Sequence, residues 1–178
     1  MSVRLVILDC DRTLWDHHNV TELQPPFARL DAQTVTDATG IPVRLLPGAT
    51  ALLEALRARG ILISIVSWNE PAPVFAILDL LGLRDYFVRP KVAFHPYKER
   101  LVVELLAELS ADGVPLRPEE ILYVDDRALH LRRVRRVVGP VQVLRAGVDI
   151  RDLREVLTYL DSAGRPVATP PQPEVHGR

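Results

Sequence analysis

Apolar runs of strand length alternate along this chain with stretches in which apolar residues recur every three or four positions. Strands are predicted near 3–8, 61–66, 86–88, 121–124 and 141–144, and helices near 48–59, 71–81, 98–109, 127–137 and 150–160. Such alternation predicts an α/β fold, a doubly wound, mainly parallel sheet with helices on both faces. Pro47-Gly48 is suited to open the first helix and Gly60 to close it, while Pro118-Glu119-Glu120 leads into the fourth strand. Between Trp15 and Leu46 the pattern breaks. There Pro25-Pro26 precedes Thr34-Val35-Thr36, a turn-like Asp37-Ala38-Thr39-Gly40, and Val43-Arg44-Leu45, which together predict a flap-like β-hairpin beside the site. This insertion, at about 16–46, is too short for an independent cap domain. One domain is expected over 1–162. The segment 163–178, with Pro166, Pro170, Pro171 and Pro173 and little apolar content, is expected to be a mobile tail.

Size and charge narrow the function. A chain of 178 residues that is 48% hydrophobic can bury one sizeable core. A formal net charge of -1 argues against a general nucleic-acid binder or a partner for anionic membranes, which carry a basic excess. The single cysteine excludes an internal disulfide framework, and the first apolar run is too short for a signal or transmembrane segment, so a cytoplasmic protein is expected.

The candidate chemistry lies at strand ends, where open parallel sheets bind ligands. Asp9-Cys10-Asp11-Arg12-Thr13 follows the run Val3 to Leu8 and sets two carboxylates and a hydroxyl beyond the first strand. Ser67 follows Ile61 to Val66, Lys98 opens a helix, and Asp125-Asp126 ends the run Ile121 to Val124. A carboxylate at Asp9 can attack phosphorus and form an aspartyl-phosphate, splitting one hard hydrolysis into two easier steps. Asp11 would protonate the leaving alcohol and then deprotonate the attacking water. Asp125-Asp126 suits a hard cation, with magnesium expected, because such ions take oxygen ligands alongside a substrate phosphate. Plainer roles exist for each: solvated loop acids for Asp9 and Asp11, a helix cap for Asp126, a capping hydroxyl for Ser67. Lys98 is preferred over Lys91 as the phosphate-binding ammonium, because a helix start aims a side chain more rigidly than a loop. Trp68 either packs under its loop or faces the leaving group.

In this order the motifs resemble the haloacid dehalogenase-like (HAD) superfamily: Asp-x-Asp-x-Thr, a strand-ending Ser, a Lys and paired Asp. Asp9-Cys10-Asp11-Arg12-Thr13-Leu14-Trp15, the flap-like hairpin and the lack of a large cap are most similar to its magnesium-dependent phosphatase family. The resemblance runs from about Val3 to Val148. It implies a HAD-like Rossmannoid fold and a Mg2+-dependent phosphatase. Asp9 would be the nucleophile and Asp11 the acid/base. Ser67 and Lys98, with Thr13 of the first motif and the backbones of Cys10 and Trp68, would bind phosphate. Asp9, Asp125, Asp126 and the backbone carbonyl of Asp11 would bind the metal. The partner is then a small phosphorylated molecule or a phosphoprotein. Ser67-Trp68-Asn69 stands where the family often has Ser-Arg-Thr, and Arg12 where it often has an aromatic, so the substrate does not carry over.

Two other functions use similar parts. A receiver-type phospho-accepting switch places its acidic pair on the first strand and its lysine last, whereas here the acidic pair comes last. A phosphomutase must exclude water, and the insertion before Leu46 is short for a sealing lid. Several conspicuous residues have bland readings. Neighbouring carboxylates disfavour a Cys10 thiolate. His17 and His18 lack the partners of a zinc-type site. His95 reads as a surface loop residue, and Arg132, Arg133, Arg135 and Arg136 as a solvated helix face without stacking aromatics.

Overall fold

A computed structural model describes residues 2–163. Five parallel strands form the central sheet: β1 (Leu5–Leu8), β5 (Leu62–Trp68), β6 (Lys91–Ala93), β7 (Ile121–Asp125) and β8 (Gln142–Arg145), in the order β6-β5-β1-β7-β8. A three-stranded antiparallel sheet, β2 (Ala28–Arg29), β3 (Thr34–Thr36) and β4 (Pro42–Arg44), lies within the stretch read as a flap. The helices are α1 (Ala49–Ala58), α2 (Pro71–Leu80), α3 (Lys98–Ala111), α4 (Ala128–Val138) and α5 (Glu155–Ala163). The expected tail falls outside the described residues, apart from Ala163, which ends α5.

The near-continuous apolar runs are explained by two-sided burial. On β1, Val6 and Leu8 join the core formed with α1, α2 and α5, while Leu5 and Ile7 join the one formed with α3 and α4. Strand β7 alternates the same way, Leu122 and Val124 against Ile121 and Tyr123. The chain leaves β1 toward β5 and β6, then crosses back through α3 to β7 on the other side of β1. This reversal opens a crevice beyond the carboxyl ends of β1 and β7, where the register aligns Leu8 with Val124.

The small sheet is tied to the first motif. Val35 and Val43 face each other across β3 and β4 and are buried in the main core. The Asp16 N–H donates to the Arg44 carbonyl, and the Arg44 N–H returns to the Asp16 carboxylate, at 2.9 Å in both cases. Asp37 closes the turn by accepting from the N–H groups of Gln24, Thr39 and Ile41 and from the Thr39 hydroxyl. At Gly48, before α1, φ is 81° and an added Cβ would lie 2.3 Å from an Asp152 carboxylate oxygen. Glycine is required there on both counts.

Four expectations need correction. The strand read at 86–88 is displaced to Lys91–Ala93: Phe87 is a core residue, the Val88 N–H makes one hydrogen bond to the Ile63 carbonyl of β5, and Pro90 cannot donate, so the continuous ladder begins only after it. Lys91 therefore sits on an edge strand rather than in a loop, paired with Glu108. Strand β5 continues through Ser67 and Trp68, two residues past its expected end, because β6 supplies partners for both. The last helix starts at Glu155 rather than 150, since the Glu155 carboxylate accepts from the Arg151 and Asp152 N–H groups and holds them in a turn.

Candidate active site

The Asp9 N–H donates to the Val124 carbonyl at 3.0 Å, which holds the first acid between the ends of β1 and β7. Asp125 is the last residue of β7, and Lys98 is the first of α3. The Lys98 ammonium lies 2.8 Å from Asp9 Oδ1 and 2.7 Å from Asp125 Oδ2, with Asp9 only 4% and Lys98 3% exposed. Asp125 also accepts from the Tyr123 hydroxyl at 2.6 Å and the Arg127 N–H at 2.8 Å. One carboxylate oxygen each of Asp9, Asp125 and Asp126 lies within 4.8 Å of the others.

Three carboxylates thus face one ammonium. Burial pushes the Asp9 carboxyl up to about 8, against the opposing pull of Lys98, and the Asp125 charge adds to the rise. Burial and the same neighbour also raise Asp126. Burial works against ionised Asp125 too, but the Lys98 charge and the hydrogen bonds from Lys98, Tyr123 and Arg127 outweigh it and hold that carboxyl low. Lys98 is raised in return: burial disfavours its charge, but Asp9 and Asp125 more than reverse this. An all-oxygen, anionic donor set with surplus negative charge fits a hard divalent cation, and it offers no nitrogen or sulfur to a softer one.

Asp11 is held apart from this group. Its carboxylate accepts from Trp15 Nε1 and Asn69 Nδ2, each at 2.8 Å, and more distantly from the Val20 N–H at 3.4 Å. Asn69 Nδ2 also donates to Ser67 Oγ at 3.0 Å, while Asn69 Oδ1 accepts from the Thr21 hydroxyl at 2.7 Å. One amide therefore ties the first motif, the end of β5 and the turn before the small sheet into a single network. Arg12, at φ 57°, reverses the chain in the left-handed region, which costs a non-glycine residue about 1–2 kcal/mol. The N–H groups of Thr13, Leu14 and Trp15 then converge on the Cys10 carbonyl. The Cys10 thiol is buried, and burial followed by the charges of Asp9 and Asp11 pushes its pKa well up, in keeping with a packing role.

Asp9, Asp11, Trp68, Lys98 and Asp126 line one cleft of about 300 Å³. Asp125 is fully buried behind it. Ser67 and Thr13 are also fully buried and are not among the lining residues. Ser67 lies beside Trp68 with its hydroxyl taken by Asn69. The Thr13 hydroxyl departs from the phosphate-facing position expected of it: it is buried with no hydrogen-bond partner, because the reversal at Arg12 folds Thr13 inward. Trp68, left between two orientations by sequence, is 37% exposed and faces the cleft. His18 also lines it and approaches Glu22 at 3.3 Å, whereas Arg132, Arg135 and Arg136 are exposed on α4. Sequence reasoning missed Asn69, Phe94 and His130. The short polar step Ser67-Trp68-Asn69-Glu70 was the one available signal for Asn69; His130 carried none until α4 was placed against β7.

A family model described as Acid Phosphatase matches residues 2–155. The chain belongs to the acid phosphatase family. Among curated proteins, this family member is 26% identical over 155 residues to Magnesium-dependent phosphatase 1 of Homo sapiens, covering 86% of this chain and 85% of that one. Among solved structures it is similar to a HAD-superfamily hydrolase from Geobacter sulfurreducens, with a TM-score of 0.62 at 17% identity, covering 89% of this chain and 100% of the other. A predicted phosphoglycolate phosphatase from Haemophilus somnus matches with a TM-score of 0.52 at 19% identity, covering 66% of this chain. The chain spans 57% of the length of that structure. The resemblance carried by the motifs is thus borne out: a phosphatase family on a HAD fold. No helix among the described residues is long and apolar enough to cross a membrane.

Proposed function

We propose that this phosphatase hydrolyses a small phosphomonoester in a magnesium-dependent reaction through an aspartyl-phosphate on Asp9. The observation that carries the reading is Lys98, whose ammonium bridges Asp9 and Asp125 while Asp126 stands beside them at the mouth of one cleft. The name of the human relative supports magnesium. Asp9, Asp125 and Asp126 would hold the ion, with the Asp11 carbonyl as a further ligand. When bound, it supplies positive charge against the phosphoryl oxygens and lets an ionised Asp9 approach a dianionic substrate.

The chain's own residues divide the remaining work. An Asp9 oxygen attacks phosphorus as the bond to the leaving oxygen breaks, and Asp11 gives that oxygen its proton. Asp11 then takes a proton from water, which attacks the phosphorus of the acyl phosphate and releases inorganic phosphate and free Asp9. Trp15 and Asn69 hold the Asp11 carboxylate from two sides, so its position does not depend on substrate. Lys98 neutralises charge beside the nucleophile; the Cys10 and Trp68 backbones would bind the phosphate oxygens, with Ser67, buried beside Trp68 and accepting from Asn69, supporting that site from within. Residues 1–162 act as one catalytic domain, with the insertion at about 16–46 as its flap. A cytoplasmic setting accords with a lone, buried, unpaired cysteine. Turnover of p-nitrophenyl phosphate with Mg2+ tests the reading: Asp9→Asn should abolish it, and retained activity would exclude Asp9 as nucleophile.

A further inference from the structure

The same cleft is also lined by Trp68 at the end of β5, Phe94 just past β6, and His130 in the first turn of α4. Trp68 and Phe94 are exposed, 37% and 61% respectively, although they sit at the mouth of a highly charged site. His130 is the opposite case. It is 3% exposed, and its Nδ1 is buried without a hydrogen-bond partner. A buried polar atom left unsatisfied is costly, so it calls for an explanation beyond packing.

The imidazole is held in orientation by Trp68, edge to face, with ring centroids 6.5 Å apart and an interplanar angle of 86°. Burial, reinforced by the Lys98 charge, lowers its pKa to about 4, so the ring is neutral near pH 7. A neutral imidazole has one N–H and one lone pair. With Nδ1 sealed off, placing the lone pair there avoids an orphaned buried N–H, the rarer and costlier defect, and puts the proton on Nε2. The cleft then has a neutral donor beside the Trp68 ring, with Phe94 also on the cleft wall.

We propose that His130 determines leaving-group choice by donating a hydrogen bond from its imidazole to an oxygen on the carbon next to the phosphate ester, while Trp68 and Phe94 cover the carbon skeleton. The substrates so selected are phosphomonoesters of polyols with a vicinal hydroxyl. This inference rests on the phosphatase reading above. His130 is a specificity-determining residue; bond making and proton transfer stay with Asp9 and Asp11.

Glycerol 1-phosphate and propyl phosphate form a matched pair, with and without hydroxyls on the same three-carbon frame. With Mg2+, wild-type kcat/KM should favour glycerol 1-phosphate by about 5–10-fold, the worth of one hydrogen bond. His130→Leu, which fills the space without a donor, should remove that preference through a higher KM for glycerol 1-phosphate, with kcat and inhibition by inorganic phosphate unchanged. His130→Asn, which restores an N–H, should recover most of it. A wild-type ratio near one overturns the proposal without any variant, as does a preference that survives in correctly folded His130→Leu. Weaker phosphate inhibition in the variants would move His130 to the phosphoryl group and also overturn it. If the wild type turns over p-nitrophenyl phosphate but neither ester, or both esters without preference, only the role of His130 falls; no turnover of any of the three removes the phosphatase reading itself.

Discussion

Replacing Lys98 by Met separates the charge balance of the site from its chemistry. The ammonium is shared by Asp9 at 2.8 Å and Asp125 at 2.7 Å, and all three groups are buried. Removing one partner of a buried ion pair costs about 3–5 kcal/mol, because the remaining charge has lost its compensation. Asp9 softens the loss here, since its carboxyl already lies at about 8 and readily takes a proton. The lower end, about 3 kcal/mol, is therefore expected. For a chain of this size each kcal/mol shifts Tm by about 2–4 °C, giving a fall of roughly 6–12 °C in EDTA. Magnesium should behave in the opposite way. The variant site carries one more unit of net negative charge, which at about 5 Å and an effective dielectric near 20 attracts a divalent cation by about 7 kcal/mol. Proton competition at Asp9 and solvent screening at the open cleft remove most of this, leaving Mg2+ bound roughly tenfold tighter. Turnover should still collapse, because the charge beside the nucleophile is gone. Thermal unfolding with and without Mg2+, titration calorimetry and p-nitrophenyl phosphate turnover read the three effects. An unchanged metal-free Tm together with weaker Mg2+ binding would refute the reasoning.

Asn69→Ala removes one of the two close donors on Asp11, and kcat should fall by roughly tenfold, most for poor leaving groups, because the misplaced acid matters most where protonation is most needed; equal loss across a leaving-group series would contradict this. The elevated Asp9 carboxyl also gives a pH signature. Raised from 3.8 to about 8, it contributes most to metal-free stability at low pH and loses that contribution as pH rises through about 8. Binding a cation requires the carboxylate, so at pH 7 Mg2+ should release close to one proton and bind more tightly up to about pH 8. Calorimetry in two buffers of different ionisation enthalpy measures this release, and identical heats would argue against a raised Asp9.

The strand-end acids were legible before any coordinates because β1 and β7 are buried on both faces. An apolar run that stops abruptly at Asp9 or Asp125 marks where the strand ends and the polar site begins. Lys98 was legible for a related reason, since the apolar periodicity begins just behind it. What depends on contacts between distant segments was not. Strand β6 is three residues long and was hidden by the more apolar Phe87-Val88, where Phe87 packs in the core and Val88 makes one hydrogen bond to Ile63 without continuing as a strand. The inward turn of Thr13 follows from a left-handed Arg12, a conformation that arginine does not advertise. Asn69 and His130 acquire their places only when β5 and α4 are set beside Asp11 and Trp68.

Trapping the phosphorylated enzyme tests the central claim most directly. Protein mixed with substrate and Mg2+, quenched, and treated with borohydride should yield homoserine at position 9 by peptide mass spectrometry, and none without substrate. An intact Asp9 while turnover proceeds, or reduction at another carboxylate, would contradict the account.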